Sequence, residues 1–211
     1  MGGLEQLDAV TLDLYGTLVT LIDPVPRLVE LLREHGVDRA PDRVSAAFEE
    51  ELSYYSARSH EGCDDPSVAD LNERCAAVFL TAVEADLPAP EFAPLYVDAL
   101  RFELMPGALE ALVGLRSRGL DLAAVTNWDV TVHNHLAELG LTPYFSSVVT
   151  AAETGARKPD PALFRRALEL LGVEPSRALH VGDSESDREG AHAAGMRFEL
   201  PPVSRLLGEL S

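Results

Sequence analysis

Three apolar runs along the chain end on polar groups. Val10-Thr11-Leu12 leads into Asp13-Leu14-Tyr15-Gly16, Leu122-Ala123-Ala124-Val125 into Thr126-Asn127, and Ala178-Leu179-His180-Val181 into Gly182-Asp183. A short apolar run bounded by turn residues is the pattern of a buried strand. Open α/β sheets keep their ligand crevice at the carboxyl ends of such strands. A helix N-cap would account for Asp13 taken alone, but the recurrence favours one site assembled from distant segments. The patterning predicts strands over 8–14, 120–126, 147–150, 178–181 and 197–200, and helices over 108–117, 130–139, 161–171 and 185–194. Glycines at 140, 172 and 195 follow helix ends and Pro161 opens one, as caps require. Strands alternating with helices of this length imply βαβ units and a doubly wound parallel sheet in the α/β class.

The stretch from Pro24 to Phe102 behaves differently. Val29, Leu31 and Leu32, then Val44, Ala47, Phe48 and Leu52, then Leu71, Cys75, Val78, Phe79 and Val83 recur at helical spacing. Gly36, Pro41, the 62–66 segment and Pro88-Ala89-Pro90 punctuate it. The expected organisation is a core of residues 1–22 and 103–211 with an all-helical insertion over 23–102. No internal repeat or low-complexity segment interrupts this plan.

Composition narrows the function. At 211 residues and 46% hydrophobic, the chain can bury one substantial core. No apolar run approaches the roughly 18 residues needed to span a bilayer. Met1-Gly2-Gly3-Leu4-Glu5-Gln6 lacks the basic start and apolar core of an export signal. Gln6 stands where myristoylation would need Ser or Thr. Cys63 and Cys75 have no CxxC spacing, which disfavours a thiolate metal site and fits a reduced, cytoplasmic setting. The formal charge of -18 argues against nucleic acid and anionic membranes as partners. It leaves room for a small anionic substrate, because a bound cation can dominate one cleft. The oligomeric state stays open. One detail is sharper: Lys158 is the only lysine in a chain whose other strong bases are all arginine. An ammonium is a compact point charge that arginine does not replace where geometry matters.

Asp13-Leu14-Tyr15-Gly16-Thr17, Thr126-Asn127, Lys158-Pro159, and Gly182-Asp183-Ser184 with Asp187 resemble, in order, the four motifs of the haloacid dehalogenase (HAD) superfamily. Each motif alone is weak; four in order at strand ends are specific. The resemblance implies a Rossmann-like core, with the insertion as a first-type (C1) helical cap that excludes water and selects substrate.

The expected chemistry follows from the residue types. Asp13 is the candidate nucleophile, since a carboxylate can attack phosphorus or carbon and split one displacement into two. Attack on a phosphoryl dianion needs charge neutralisation, which Mg2+ on a few carboxylates supplies. Asp183 is the second expected metal carboxylate, and the backbone carbonyl of Tyr15 is a ligand by resemblance. Thr126, Asn127 and the Gly16 turn are expected to bind the phosphoryl group, and Lys158 to balance it and Asp13. Ser184 and Asp187 are expected just beyond the metal. They also fit a capping box at the start of a helix, with Asp187 in either role or both.

Tyr15 is the departure. Most phosphatases of this family carry an aspartate at that position, which protonates the leaving oxygen and then activates water. The expected substitutes are Asp129, Tyr15 itself, or a substrate with a good leaving group such as an acyl or aryl phosphate. The same tyrosine resembles the 2-haloacid dehalogenases, which need no metal. Against that rival stand Thr126-Asn127-Trp128 in place of Ser-Asn-Gly, Phe164 in place of a tyrosine, and an intact Gly182-Asp183-Ser184. Phosphonate cleavage through a cap lysine is ruled out by the absence of any lysine there. The expected function is a Mg2+-dependent phosphatase for a small phosphorylated metabolite. The rivals are a metal-independent dehalogenase using Asp13 and a phosphate-binding relative with weak turnover. Arg27, Arg43, Arg58, Tyr54, Tyr55 and His60 are open to either a substrate or a surface role. His180, inside a strand, is expected in the core, and Trp128 is expected to pack.

Overall fold

The computed structural model describes residues 7–209. The amino-terminal segment whose sequence shows no export signal lies outside the described residues. The chain forms two compact units, Met1–Thr20 with Glu103–Ser211, and Leu21–Phe102. In chain order the elements are β1 (Ala9–Leu12), β2 (Val19–Leu21), α1 (Val25–Glu34), α2 (Pro41–Arg58), α3 (Asp65–Ala82), α4 (Ala89–Ala99), β3 (Phe102–Leu104), α5 (Ala108–Ser117), β4 (Asp121–Thr126), α6 (Val132–Glu138), β5 (Ser147–Thr150), α7 (Ala151–Thr154), α8 (Pro161–Leu171), β6 (Ala178–Val181), α9 (Glu185–Ala193), β7 (Arg197–Glu199) and α10 (Leu206–Glu209).

The first unit is built on a five-stranded parallel sheet of order β5-β4-β1-β6-β7, with helices on both sides. Every residue of β1 and β6 is buried, so these strands do not alternate between buried and exposed positions, as a sheet covered on both faces demands. From β1 the chain builds outward to β4 and β5 and then returns to β6 and β7 on the other flank. The order therefore reverses beside β1, and that switch point opens a crevice at the carboxyl ends of β1, β4 and β6. Ala123 and Val125 of β4 pack with Leu163, Phe164 and Ala167 of α8 and Ala191 of α9.

Local rules set the ends of these elements. Pro161 occupies the first turn of α8, Asp160 accepts from the Ala162 amide, and Gly172 closes the helix at φ +67°. Strand β1 is shorter than the sequence pattern suggests. It ends at Leu12, and Asp13 keeps one ladder bond, donating its N–H to the Val181 carbonyl, before the chain turns. Helix α6 begins two residues later than expected, because the Asp129 carboxylate takes the Thr131 N–H and holds a turn there. The short strands β2 and β3, which pair as a two-stranded ribbon, carry too few residues to show a period in the sequence.

The second unit is helical. Leu28 and Leu32 of α1, Val44 and Phe48 of α2, Phe79 of α3 and Phe92 and Tyr96 of α4 share one apolar core. The rings of Phe79 and Tyr96 lie 4.8 Å apart, within the usual range for favourable aromatic pairs. Cys63 is exposed and Cys75 buried, and both are free thiols. Among the described residues no helix is long and apolar enough to cross a membrane.

Candidate active site

Asp13 stands at the carboxyl end of the central strand, only 6% exposed. Beyond it the chain turns through Gly16 at φ +84°, a conformation that glycine adopts without steric cost. A second constraint acts on the same residue: a Cβ there would lie 2.2 Å from Asp183 Oδ2. The turn after β1 and the turn after β6 are therefore in contact, and only glycine permits it. Asp13, Asp183 and Asp187 bring ligand atoms within 4.8 Å of one another, with Asp183 the exposed member.

Lys158 ties this cluster together. Its ammonium has three protons, and three acceptors receive them: Asp13 Oδ1 at 2.5 Å, Asp187 Oδ1 at 2.6 Å and the Val125 carbonyl at 3.1 Å. With all donors committed and the side chain buried, the charge has one position. Asn127 holds the loop that carries it. The Lys158 N–H donates to Asn127 Oδ1 at 2.8 Å, and Asn127 Nδ2 donates back to the Lys158 carbonyl at 3.4 Å. The residue expected to bind a phosphoryl oxygen thus positions the lysine loop. Thr126 lies buried at the last position of β4, in register with Thr150.

Asp187 has the capping role that the sequence suggested for it. It forms the capping box of α9, with Oδ2 accepting from the Ser184 N–H at 3.2 Å and the Ser184 hydroxyl at 2.5 Å. Its Oδ1 accepts from Lys158 and, at 3.1 Å, lies against His180 Nε2. Four contacts occupy the four lone-pair positions of a carboxylate. Asp187 is saturated by protein groups, and Asp13 and Asp183 are left as the carboxylates with capacity for a cation. Ser184 serves the same cap, accepting from the Asp187 N–H. A Cβ on Gly182 would fall 2.4 Å from the Asp187 carboxyl carbon, so this glycine too makes room for the cluster.

Burial and pairing pull these acids apart. For Asp13, desolvation outweighs the nearby ammonium and pushes the carboxyl up to about 6. Burial also raises Asp183. Burial alone would raise Asp187, but the His180 hydrogen bond and the Lys158 charge together hold it well below the usual carboxylate range. Lys158 is desolvated as well, yet Asp13 and Asp187 keep its pKa above the ordinary value. With three carboxylates ionised and one ammonium, the cluster carries two unbalanced negative charges, the complement of one divalent cation. The residues fit such an ion.

Two further expected site residues have surroundings of their own. Tyr15 is 45% exposed and forms an isolated bridge with Val19. Asp129 is buried, and its Oδ1 accepts from both the Thr131 N–H at 2.8 Å and the Thr131 hydroxyl at 2.5 Å. That oxygen holds the turn before α6. Trp128 packs against the His135 ring.

His180 lies in the core as expected, but its polar partners, and Thr11 altogether, escaped the sequence reading. Both are fully buried, and they face each other across β1 and β6 as register partners. Thr11 Oγ1 lies 2.8 Å from His180 Nδ1, and the opposite ring nitrogen meets Asp187. The signal was available: each is a polar residue inside an otherwise apolar strand, two positions before the turn that opens the site.

The model of the haloacid dehalogenase-like hydrolases matches residues 7–195. The mouse haloacid dehalogenase-like hydrolase domain-containing protein 3 is 35% identical over 208 residues, which cover 92% of this chain and 82% of that protein. A phosphoglycolate phosphatase of Nitrosococcus oceani is 28% identical over 92% of this chain and 84% of its own length. The crystal structure of a HAD phosphatase from Thermococcus onnurineus superposes with a TM-score of 0.59 at 30% identity, covering 91% of this chain and 85% of that one. The chain belongs to the haloacid dehalogenase-like hydrolases and is an enzyme of that superfamily.

Proposed function

We propose that this enzyme is a Mg2+-dependent phosphatase that acts on a small phosphorylated metabolite through an aspartyl-phosphate at Asp13. The observation that carries the reading is the pair Asp13 and Asp183. They converge with unfilled lone pairs beside a saturated Asp187 and leave two negative charges to be balanced. The phosphatase names borne by two of its relatives support the same reaction class.

Asp13 attacks phosphorus through the oxygen that Lys158 does not bind. The phosphorus–oxygen bond to the substrate breaks, the leaving group departs with its electron pair, and water then cleaves the acyl phosphate to regenerate the carboxylate. Lys158, fixed by three acceptors, offsets charge on Asp13 and on the transferring group without having to reorganise. A Mg2+ ion held by Asp13, Asp183 and the Tyr15 carbonyl would neutralise the phosphoryl oxygens. Tyr15 provides no carboxylate for the leaving oxygen, and Asp129 is committed to Thr131. The substrate therefore supplies its own good leaving group, as an acyl or aryl phosphate does.

Against the dehalogenase rival stands Phe164. Its fully buried ring packs edge-on to His180 at 4.8 Å, where the resemblance to dehalogenases would require a tyrosine. The decisive experiment is a screen of phosphate esters with Mg2+ and with EDTA, a halide-release assay in EDTA, and Asp13→Asn as the blank. Phosphate release that needs Mg2+ and prefers aryl over alkyl esters is expected. Halide release in EDTA would overturn the reading, as would equal rates on aryl and alkyl esters for the proposed leaving-group requirement. Asp129→Asn is expected to lower stability without changing the aryl-to-alkyl ratio.

A further inference from the structure

Behind the carboxylates runs a buried hydrogen-bonded line whose first members, Thr11 and His180, the reaction itself does not use. It passes from Thr11 Oγ1 to His180 Nδ1 at 2.8 Å, from His180 Nε2 to Asp187 Oδ1 at 3.1 Å, and from that oxygen to Lys158 Nζ at 2.6 Å. Lys158 then reaches Asp13. The proton positions follow from donor and acceptor chemistry. An ionised carboxylate only accepts, so His180 Nε2 carries the hydrogen. In the neutral ring Nδ1 is then an acceptor, and the Thr11 hydroxyl donates to it.

The ring has little freedom. It is fully buried and has Phe164 edge-on at 88°. Phe164 can stand there because residue 190 is glycine: a Cβ at that position would lie 2.2 Å from Phe164 Cε2. Thr11 and His180 are register partners on adjacent parallel strands. Sheet pairing, the Phe164 wall and the Thr11 hydroxyl thus aim one N–H at one carboxylate oxygen, the oxygen that also receives the ammonium.

We propose that His180 is a positioning residue: as a neutral imidazole oriented by Thr11, it donates to Asp187 Oδ1 and thereby sets where Lys158 presents its charge to Asp13. Asp187 alone could tilt between the Ser184 cap and the lysine. The second donor on Oδ1 fixes the carboxylate plane, and the ammonium follows. The kinetic consequence rests on the phosphatase reading; the hydrogen-bond geometry does not.

Two measurements test it. The first is the imidazole nitrogen spectrum of 15N-labelled protein, wild type and Thr11→Val. A neutral ring protonated at Nε2 is expected, with the Nδ1 resonance shifting when the Thr11 hydroxyl is removed. A ring protonated at Nδ1, or an Nδ1 resonance unmoved by Thr11→Val, overturns the proposal. The second compares His180→Leu, which lacks a donor, with His180→Gln, whose amide can replace Nε2–H. His180→Leu is expected to lower kcat about tenfold or more with KM little changed, in line with other partners that orient site residues. His180→Gln is expected to recover most of that loss. Equal loss in both variants, or a change carried by KM instead of kcat, overturns the positioning role. Should the wild type release phosphate from no ester, the phosphatase reading fails, and the imidazole spectrum still decides the hydrogen bond. The spectrum also decides it if His180→Leu does not fold.

Discussion

Each unit of the molecule buries a carboxylate almost completely, and the two meet opposite fates. Asp187 in the sheet unit is 1% exposed and Glu51 in the helical unit 4%. Asp187 is surrounded by an ammonium, an imidazole and the Ser184 N–H and hydroxyl, and it is held ionised. Glu51 has the Tyr96 hydroxyl at 2.8 Å and the Cys75 thiol. Burial wins over both of these partners and raises its pKa. Two neutral donors only soften the cost of burying Glu51, whereas at Asp187 the His180 hydrogen bond and the Lys158 charge act together and reverse it. The buried Asp187 stays ionised beside Lys158, which is where the chemistry is proposed. Asp13 lies between these extremes: it is paired with Lys158 and still pushed up to about 6 by burial. Its charge is only partly compensated, as suits a group that is to bind a divalent cation and attack.

The comparison breaks most sharply at Asp13. Asp13→Asn is expected to reduce phosphate release by about a thousandfold or more, the scale seen when a nucleophile is removed. Glu51→Gln should leave the rate unchanged, and a parallel loss in both variants would contradict the division of labour. Lys158→Met comes next. It strands two buried carboxylates and is expected to destabilise the fold by about 3 kcal/mol at neutral pH and to depress kcat in the phosphate-release assay. That stability loss should shrink in acid as Asp13 takes up a proton. Denaturant melts at pH 7 and 5 measure it, and a loss of equal size at both would show that Asp13 is not the group left unpaired.

A smaller effect separates Asp13 from Asp187 by sign. The folded pKa of Asp13 lies above its unfolded value of 3.8. Its stability contribution is therefore full below about pH 4 and lost as pH rises through about 6. Asp187 is depressed, so its contribution is present above its unfolded value and lost as pH falls below it. In EDTA, the melting temperature of Asp13→Asn should gain on wild type between pH 4 and 7. Over the same range Asp187→Asn should stay below wild type, and that gap should close only in stronger acid. Parallel curves for Asp13→Asn and wild type would show that Asp13 is not desolvated as described.

Much of the sheet unit was legible because its rules are local. Apolar runs ended at Asp13, Thr126 and Gly182-Asp183, and Pro161, Gly172 and the Ser184 capping box marked helix ends that the structure reproduces. The lone lysine marked the charge that ties the cluster together. What escaped notice depends on pairing across the chain. Thr11 and His180 acquire meaning only when β1 and β6 lie side by side in register. Nothing in sequence reveals that the Asn127 amide brackets Lys158, 31 residues away. Nor does it reveal that Asp129 Oδ1 takes the Thr131 N–H and hydroxyl. Polar residues inside apolar strands, at matching distances from two motif turns, were the overlooked sign.

The smallest expected effect lies in the helical unit and tests the other half of the comparison. Glu51 has a raised folded pKa, so it favours the fold at low pH and progressively less as pH rises through its folded value. Glu51→Gln keeps an acceptor for the Tyr96 hydroxyl and cannot ionise. Its stability relative to wild type should therefore grow steadily as pH is raised, with little difference in acid. Glu51→Leu removes the acceptor and leaves the buried Tyr96 hydroxyl unpaired, which should cost about 1–3 kcal/mol at any pH. The two variants thus separate the cost of a buried charge from the cost of an orphaned donor. Melting temperatures across pH 4 to 8 read both. If Glu51→Gln tracked wild type throughout, Glu51 would be titrating as an exposed acid does, and burial would not be what sets it apart from Asp187.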